Sequence, residues 1–147
     1  MRLTISNSEI SNNRDGILLN NGSSNNRIIE NVLKNNEHDG IGIAYENGHE
    51  NYIANNQISE NGVRGIYLKD VYQNHITKNK FLDNGKKAEQ HKTHASELFI
   101  DGKSSGNVID NNVFMSDYTF SLKYTIYSSS KAGTNHLLNN RMEYGNQ

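Results

Sequence analysis

Two stretches of sequence decide the fold: NRIIENVLKNNEHDGIGI at residues 26–43 and NYIANNQISENGVRGIYL at residues 51–68. Laid over each other, both read Asn, apolar, Asn, apolar, Asn and then Gly-Ile at the same intervals. Self-similarity at a period of a few tens of residues is typical of a solenoid, in which each repeat buries its apolar face against the next one. The two stretches therefore predict a solenoid, with further copies of the repeat along the chain.

The centre of the repeat is an apolar residue, two residues, Asn, one residue and a second apolar residue. It recurs along the chain at intervals of 23 to 32 residues, with Ser8 in the Asn position of the first copy. An Asn side chain both donates and accepts, so a column of Asn can hydrogen bond from coil to coil. We predict that the Asn residues of the other copies form such a ladder: Asn31, Asn56, Asn79, Asn111 and Asn140. Two further Asn columns support the register: Asn26, Asn51, Asn74 and Asn135, and Asn13, Asn36, Asn61 and Asn84.

A second apolar pair follows a Gly in each repeat, as in Gly40-Ile41-Gly42-Ile43. Apolar residues at i and i+2 favour a strand with one buried face, and no window sustains the period of a helix. The sequence therefore predicts an all-β fold, a single-stranded parallel β-helix of about six coils with three short strands in each. Right-handed winding is expected from the general preference of parallel crossovers.

Composition narrows the classes of partner. The formal net charge of −1 argues against nucleic-acid binding, which requires a basic surface. No apolar run is long enough to span a bilayer, and nothing near Met1 resembles a signal peptide. We therefore expect neither nucleic acid nor membrane as a partner. The chain has no Cys, which excludes disulfides and thiolate metal sites.

The repeat fills residues 1–147 without an internal domain boundary. The first coil begins at Leu3 with no cap before it, and an open end exposes apolar columns and strand edges. We expect this segment to be the C-terminal part of a longer β-helix, or to pack on a partner such as upstream coils or a second copy. Insertions at residues 85–95 and 116–122 leave the scaffold, and such loops either bind ligands or are neutral.

The coil pattern Asn-x-Ile-x-x-Asn-x-Ile/Phe-x-x-Asn-Gly-x-x-Gly-Ile resembles that of the pectate-lyase-like superfamily of right-handed parallel β-helix proteins, over about residues 3–145. The closing coils, around residues 108–114 and 136–142, are similar to those of mannuronan C5-epimerases and of phage tail-spike or appendage proteins. The resemblance implies a polysaccharide ligand, an extracellular or virion-surface location, and functional groups on the outward face of one sheet.

The resemblance does not carry over any catalytic residue. The epimerase motif Tyr-Gly-x-Asp-Pro-His is absent, since the chain has no Pro, and the grouped Asp residues of polygalacturonase-like hydrolases are absent too. If the parent protein is an enzyme, a lyase, epimerase or glycoside hydrolase, we expect its catalytic centre upstream of Met1.

Outward positions of the Gly-led strands supply candidate binding residues. Tyr67, Phe99 and Tyr127 would lie on neighbouring coils, and sugar rings stack on aromatic rings. Lys69 could pair with a uronate carboxylate, and Asp101 takes the equivalent position on the next coil. We predict these five residues to bind substrate. The alternative is that the aromatic rings support one another or cover an insertion loop.

Polar residues before the same strands, His38-Asp39, Arg64 and Glu97, would suit proton abstraction beside a carboxylate, the step shared by lyases and epimerases. The catalytic candidates are His38, Arg64 and Tyr67, although an exposed turn His is usually only solvated.

The chain offers little to a metal ion. His91 and His94 have a suitable spacing but no element to fix them, and Asp70 and Asp101 offer oxygens for Ca²⁺ without a clustered loop. We predict no metal and no cofactor, with Ca²⁺ as the alternative that remains open. Asn21-Gly-Ser matches a glycosylation sequon by pattern.

Three functions are open: a polysaccharide-binding scaffold, a polysaccharide lyase or C5-epimerase in its own right, and a structural spacer or oligomerisation element of a phage spike. We favour the first.

Overall fold

The computed structural model describes residues 2–116 and 124–144, so the insertion predicted at residues 116–122 lies almost wholly outside the described residues. The strands, in chain order, are β1 (Thr4–Ser6), β2 (Glu9–Ser11), β3 (Ile17–Leu19), β4 (Arg27–Ile29), β5 (Val32–Lys34), β6 (Asp39–Ala44), β7 (Tyr52–Ala54), β8 (Gln57–Ser59), β9 (Arg64–Lys69), β10 (His75–Thr77), β11 (Lys80–Leu82), β12 (Ser96–Asp101), β13 (Val108–Asp110), β14 (Val113–Ser116), β15 (Tyr124–Ser128), β16 (His136–Leu138) and β17 (Arg141–Tyr144). Within the described ranges there is no helix, and hence none able to cross a membrane.

Three parallel sheets are built by stacking coils. The first strand of each coil joins sheet A (β1, β4, β7, β10, β13, β16), the second joins sheet B (β2, β5, β8, β11, β14, β17), and the third joins sheet C (β3, β6, β9, β12, β15). The described residues thus form five coils and two strands of a sixth. The prediction of an all-β parallel solenoid of about six coils is confirmed.

The core is a set of aliphatic columns running along the axis. In sheet A, one column consists of Ile5, Ile28, Ile53, Ile76, Ile109 and Leu137 in register. The corresponding column of sheet B includes Phe81 and Phe114, whose rings stack with centroids 4.8 Å apart. Burial is complete in the middle coils and falls at the ends, where Leu137 is 48% exposed. Coil stacking therefore buries apolar surface that a single coil could not.

Asn ladders satisfy the polar groups at the corners between sheets. Asn31 donates its backbone N–H and its Nδ2 to Oδ1 of Asn56, at 2.9 and 3.1 Å. The same Nδ2 also donates to the carbonyl of Ile5, one coil back, at 3.0 Å. The pattern repeats from Asn56 to Asn79, and both side chains are buried. The ladder is confirmed at these positions and at Asn140.

The prediction that Asn111 is the ladder residue of the fifth coil is wrong. Asn79 donates instead to Oδ1 of Asn112, at 2.9 and 3.1 Å, and Asn112 donates to Asn140. Asn111 is exposed, with a φ of 55°, and occupies the left-handed corner position that Asn55 and Lys78 take in earlier coils. The sequence allowed both registers because the apolar residues here come in adjacent pairs, residues 108–109 and 113–114, of which the second member lies in the core column.

The ladder formed by Asn36, Asn61 and Asn84 ends on the carboxyl group of Glu97, which the sequence pattern placed on the outside of the coil. Asn84 donates its backbone N–H and its Nδ2 to the two carboxylate oxygens of Glu97, which is 1% exposed. On its coil, Glu97 occupies the position that Gly16, Gly40 and Gly65 occupy on the earlier coils. A Cβ built on Gly65 would lie 3.1 Å from Nδ2 of Asn84, so this position points inward. Glu97 is therefore a structural group, and its predicted place near a ligand is wrong.

Candidate functional site

The outward face of sheet C holds the predicted aromatic column. Tyr67 pairs in register with Phe99, and Phe99 with Tyr127, on three successive coils. Ring centroids are 5.5 Å apart for the first pair, at an interplanar angle of 61°, and 4.7 Å apart for the second, at 88°. Leu18 and Gly42 continue the column on the first two coils. The predicted shared face is confirmed, and its binding to a polymer stays a prediction.

Phe99 lies beneath its neighbours and is only 6% exposed. Besides the two Tyr rings it contacts the ring of His94, at 6.2 Å between centroids, and His94 lies 4.3 Å from the ring of Tyr127. His94 belongs to the insertion at residues 85–95, so this loop reaches the aromatic column. A ligand on this face would contact the half-buried Tyr67 and Tyr127, while Phe99 supports them from below.

Tyr67 and Asp101 form a hydrogen-bonded pair at the edge of the column. The Tyr67 hydroxyl donates to Oδ2 of Asp101 at 3.0 Å, and the N–H of Gly102 donates to Oδ1 at 2.7 Å. Burial, and then the nearby Asp101 charge, raise the pKa of Tyr67 well above its ordinary value. Burial opposes ionisation of Asp101 as well, but the Gly102 N–H and the Tyr67 hydroxyl lower its pKa overall. Lys69, in register with Asp101, adds to that lowering.

Arg64 forms a bidentate ion pair within the protein. It donates Nε and Nη2 to the two carboxylate oxygens of Asp39, at 2.8 and 2.9 Å. Its guanidinium carbon also lies 3.6 Å from the centre of the Tyr67 ring. Burial raises the pKa of Asp39 even though Arg64 pulls it down. Because the planar fork of Arg64 is already paired, binding a substrate carboxylate there would require breaking a buried ion pair.

His38 is directed to other partners than the two remaining catalytic candidates, Arg64 and Tyr67. Its ring packs edge-on against His91, with centroids 4.4 Å apart, and its Nδ1 lies 3.9 Å from Oδ1 of Asp15. The structure thus brings Arg64 and Tyr67 together, whereas the His38 ring lies against His91.

The residues considered for a metal each have protein partners. Oδ1 of Asp70 accepts from the backbone N–H of Lys103 at 2.9 Å, and both oxygens of Asp101 accept hydrogen bonds. His91 contacts His38, and His94 contacts Tyr127. In the part of the chain that the structure describes, no three His, Asp or Glu side chains form a group able to hold a metal ion. Asn21 is exposed, and its glycosylation stays a prediction.

Comparison with protein families identifies the fold family. The family model described as "Right handed beta helix region" matches residues 1–142. The chain belongs to the right-handed β-helix family. The predicted resemblance to pectate-lyase-like parallel β-helices, and the expected right-handed winding, agree with this match. No curated protein and no solved structure matches the chain.

The β-helix has a second row of outward polar and aromatic side chains that the sequence interpretation missed. On the outward face of sheet A, Arg27, Tyr52 and His75 lie in register on successive coils. A signal for them was present, because each directly follows an Asn of one ladder: Asn26, Asn51 and Asn74. The outward residues predicted from the sequence all lie on the Gly-led strands of sheet C, whereas this row lies on sheet A.

Proposed function

We propose that this β-helix segment is a rigid scaffold that binds an extracellular or virion-surface polysaccharide on the outward face of sheet C. Tyr67 and Tyr127 stack on sugar rings, Phe99 holds them in place, and the Lys69 and Asp101 side chains hydrogen bond to carboxyl or hydroxyl groups. The observation that supports this most is the aromatic column itself, three rings in register on successive strands of a rigid sheet.

The spacing of the column suits a repeating ligand. Neighbouring strands of a sheet lie about 4.8 Å apart, so equivalent side chains recur at that interval along the axis. This interval is close to the advance of one pyranose unit in an extended polysaccharide. A glycan that runs along the axis would therefore meet one coil for each sugar unit, and the Tyr67 and Tyr127 rings would contact units two coils apart.

Binding is favoured over chemistry at these residues. Proton abstraction by Tyr67 requires a phenolate, and its raised pKa together with its hydrogen bond to Asp101 opposes that form. Substrate carboxylate recognition by Arg64 is opposed by its pair with Asp39. The lyase or epimerase alternative therefore has no supporting arrangement at its candidate residues.

The experiment is isothermal titration of the chain with alginate, pectate and neutral capsule-type polymers, for wild type and for Tyr67→Ala and Tyr127→Ala. We expect one polymer class to bind, and each substitution to weaken its affinity about tenfold, equivalent to about 1.4 kcal/mol. Tyr72→Ala, which removes a Tyr from the corner before sheet A, is the control and should bind as wild type.

Two results would contradict the proposal. One is the absence of binding to every polymer. The other is binding that both sheet C substitutions leave unchanged. Polymer cleavage or epimerisation by the wild-type chain would favour the enzyme alternative instead.

A further inference from the structure

The row on sheet A is built as a connected set of side chains. The Arg27 guanidinium lies 4.9 Å from the centre of the Tyr52 ring, and the Tyr52 and His75 rings meet edge to face at 5.4 Å. Nε2 of His75 lies 2.9 Å from Oδ1 of Asp110, on the next coil. Together these four residues extend across four coils of one face, which we call the sheet A row.

Arg27 differs from Arg64 in what its guanidinium contacts. Arg64 is paired through Nε and Nη2 with Asp39, whereas Arg27 has an aromatic ring and, within the described residues, no carboxylate partner. A guanidinium presents five donors in a planar fork that matches a carboxylate. The Tyr52 ring restricts the motion of the Arg27 guanidinium but leaves its N–H donors free of hydrogen bonds to the ring. Less conformational entropy is therefore lost when an anion binds to Arg27.

His75 and Asp110 form a polar end to the row. Their side chains are 42% and 21% exposed, so both are accessible from solvent. Burial opposes ionisation of Asp110, but hydrogen bonds from Thr77 and His75 lower its pKa, so it is a carboxylate at neutral pH. Its negative charge accepts hydroxyl hydrogens and repels a second carboxylate.

We propose that the sheet A row is a separate binding surface for a uronate-containing glycan. A sugar carboxylate pairs with Arg27, the adjoining ring stacks on Tyr52, and hydroxyl groups of the following unit hydrogen bond with His75 and Asp110. The inference rests on the proposed function only for the general class of ligand; its residues and sheet are different. Arg27 and His75 are two coils apart, or about 10 Å, which suits a ligand of two to three sugar units.

The charge pattern also fixes the direction of the ligand. The positive group lies at the Arg27 end and the negative group at the Asp110 end. A glycan with its acidic unit at Arg27 and hydroxyl groups near Asp110 satisfies both, and the reverse direction places two carboxylates together.

The test is titration of the chain with a trisaccharide that carries one terminal uronate and two neutral sugar units, and with its carboxyl-reduced, neutral counterpart. We expect the acidic trisaccharide to bind, the neutral trisaccharide to bind at least tenfold more weakly, and added NaCl to weaken the acidic ligand selectively. Arg27→Gln should reduce the affinity for the acidic trisaccharide about tenfold, and Tyr52→Ala by a similar factor. Arg14→Gln is the matched control, because Arg14 is an exposed Arg outside the row and its loss removes the same charge.

The outcomes separate this inference from the proposed function. Loss of binding in Arg27→Gln but not in Tyr67→Ala supports the sheet A row, and the reverse overturns it while leaving sheet C intact. Equal affinity for acidic and neutral trisaccharides overturns it, and so does an equal loss in Arg14→Gln. Absence of binding to the acidic trisaccharide overturns it as well, whatever other polymer the chain binds. Far-UV circular dichroism of each variant verifies that the fold is retained.

Discussion

Asn84 donates its backbone N–H and its side-chain amide to the carboxyl group of Glu97, 13 residues further along the chain. In the coils before it, the same two donors meet the amide oxygen of an Asn, as Asn61 does with Asn84. A ladder of neutral amides therefore ends on an ionisable group that is buried in the protein.

Burial makes Glu97 sensitive to pH. Desolvation raises its pKa from 4.5 to about 8, against the opposing hydrogen bonds from Asn84. The folded state binds the Glu97 proton more tightly than the unfolded state does. The resulting contribution to the free energy of unfolding is therefore fully present below the pKa of Glu97 in the unfolded chain. It is lost as the pH rises through the pKa of the folded state, at up to about 1.4 kcal/mol per pH unit. We expect the wild-type free energy of unfolding to decrease between about pH 4.5 and 8 from this group.

Glu97→Gln tests that dependence. Gln keeps the shape and an acceptor oxygen but does not titrate, so its urea-denaturation curve should lose most of the pH dependence in this window. A variant whose stability declines with pH as steeply as that of the wild type would assign the dependence to other groups.

The middle of the ladder should be intolerant of side-chain loss. Asn56→Ala removes the acceptor of the Asn31 backbone N–H and of one Nδ2 hydrogen of Asn31, and it removes the side-chain donor to the carbonyl of Ile28, all in a buried corner. Each loss costs about 1 to 3 kcal/mol, so we expect a total of about 3 kcal/mol or more in a urea-denaturation experiment. Asn55→Gly, one residue earlier at an exposed position with a φ of 57°, is the control. Its stability should stay close to that of the wild type, because Gly adopts this backbone angle readily.

The register of the fifth coil can be tested by the same approach. Asn112→Ala removes the acceptor for Asn79 and the donor to Asn140, whereas Asn111→Gly changes only an exposed corner. We expect the first to lower the melting temperature by at least several degrees and the second to leave it nearly unchanged. An equal effect of the two substitutions would be evidence against the register.

The sequence alone predicted the coils because most copies of the repeat show both an inward aliphatic residue and a corner Asn at fixed spacing. The prediction failed in the fifth coil, where the sequence fits two registers. At residues 108–114 two apolar residues adjoin at each inward position, and two Asn adjoin at the corner, so a shift by one residue preserved the pattern.

The site was predicted less completely, since sequence spacing locates a face but not the contacts made there. The spacing placed Tyr67, Phe99 and Tyr127 in one column. It could not predict that Phe99 is buried, because His94, which packs on Phe99, belongs to a loop without a repeat pattern. Nor could it predict that Arg64 forms an ion pair, because its partner Asp39 lies 25 residues earlier. The alignment of Glu97 with Gly16, Gly40 and Gly65 does indicate its inward position. Counting alternate residues along one strand does not reveal it.

Phe99 should be needed for the fold more than for direct contact with a ligand. Phe99→Ala removes a ring that is almost wholly buried, and should cost about 3 kcal/mol of stability. Phe99→Leu refills much of that volume and should retain the polymer affinity of the wild type within about threefold, as Tyr67 and Tyr127 remain. Titration and thermal denaturation of both variants measure this. A large loss of affinity in a stable Phe99→Leu protein would show that the ring itself contacts the ligand.

The most direct test of glycan binding on sheet C is a ¹H–¹⁵N NMR titration of the chain with an oligosaccharide of the polymer that it binds. We expect the largest chemical-shift changes in β9, β12 and β15 of sheet C, with β5, β8 and β11 of sheet B unchanged. Shifts confined to sheet B, or spread evenly over the three sheets, would contradict it.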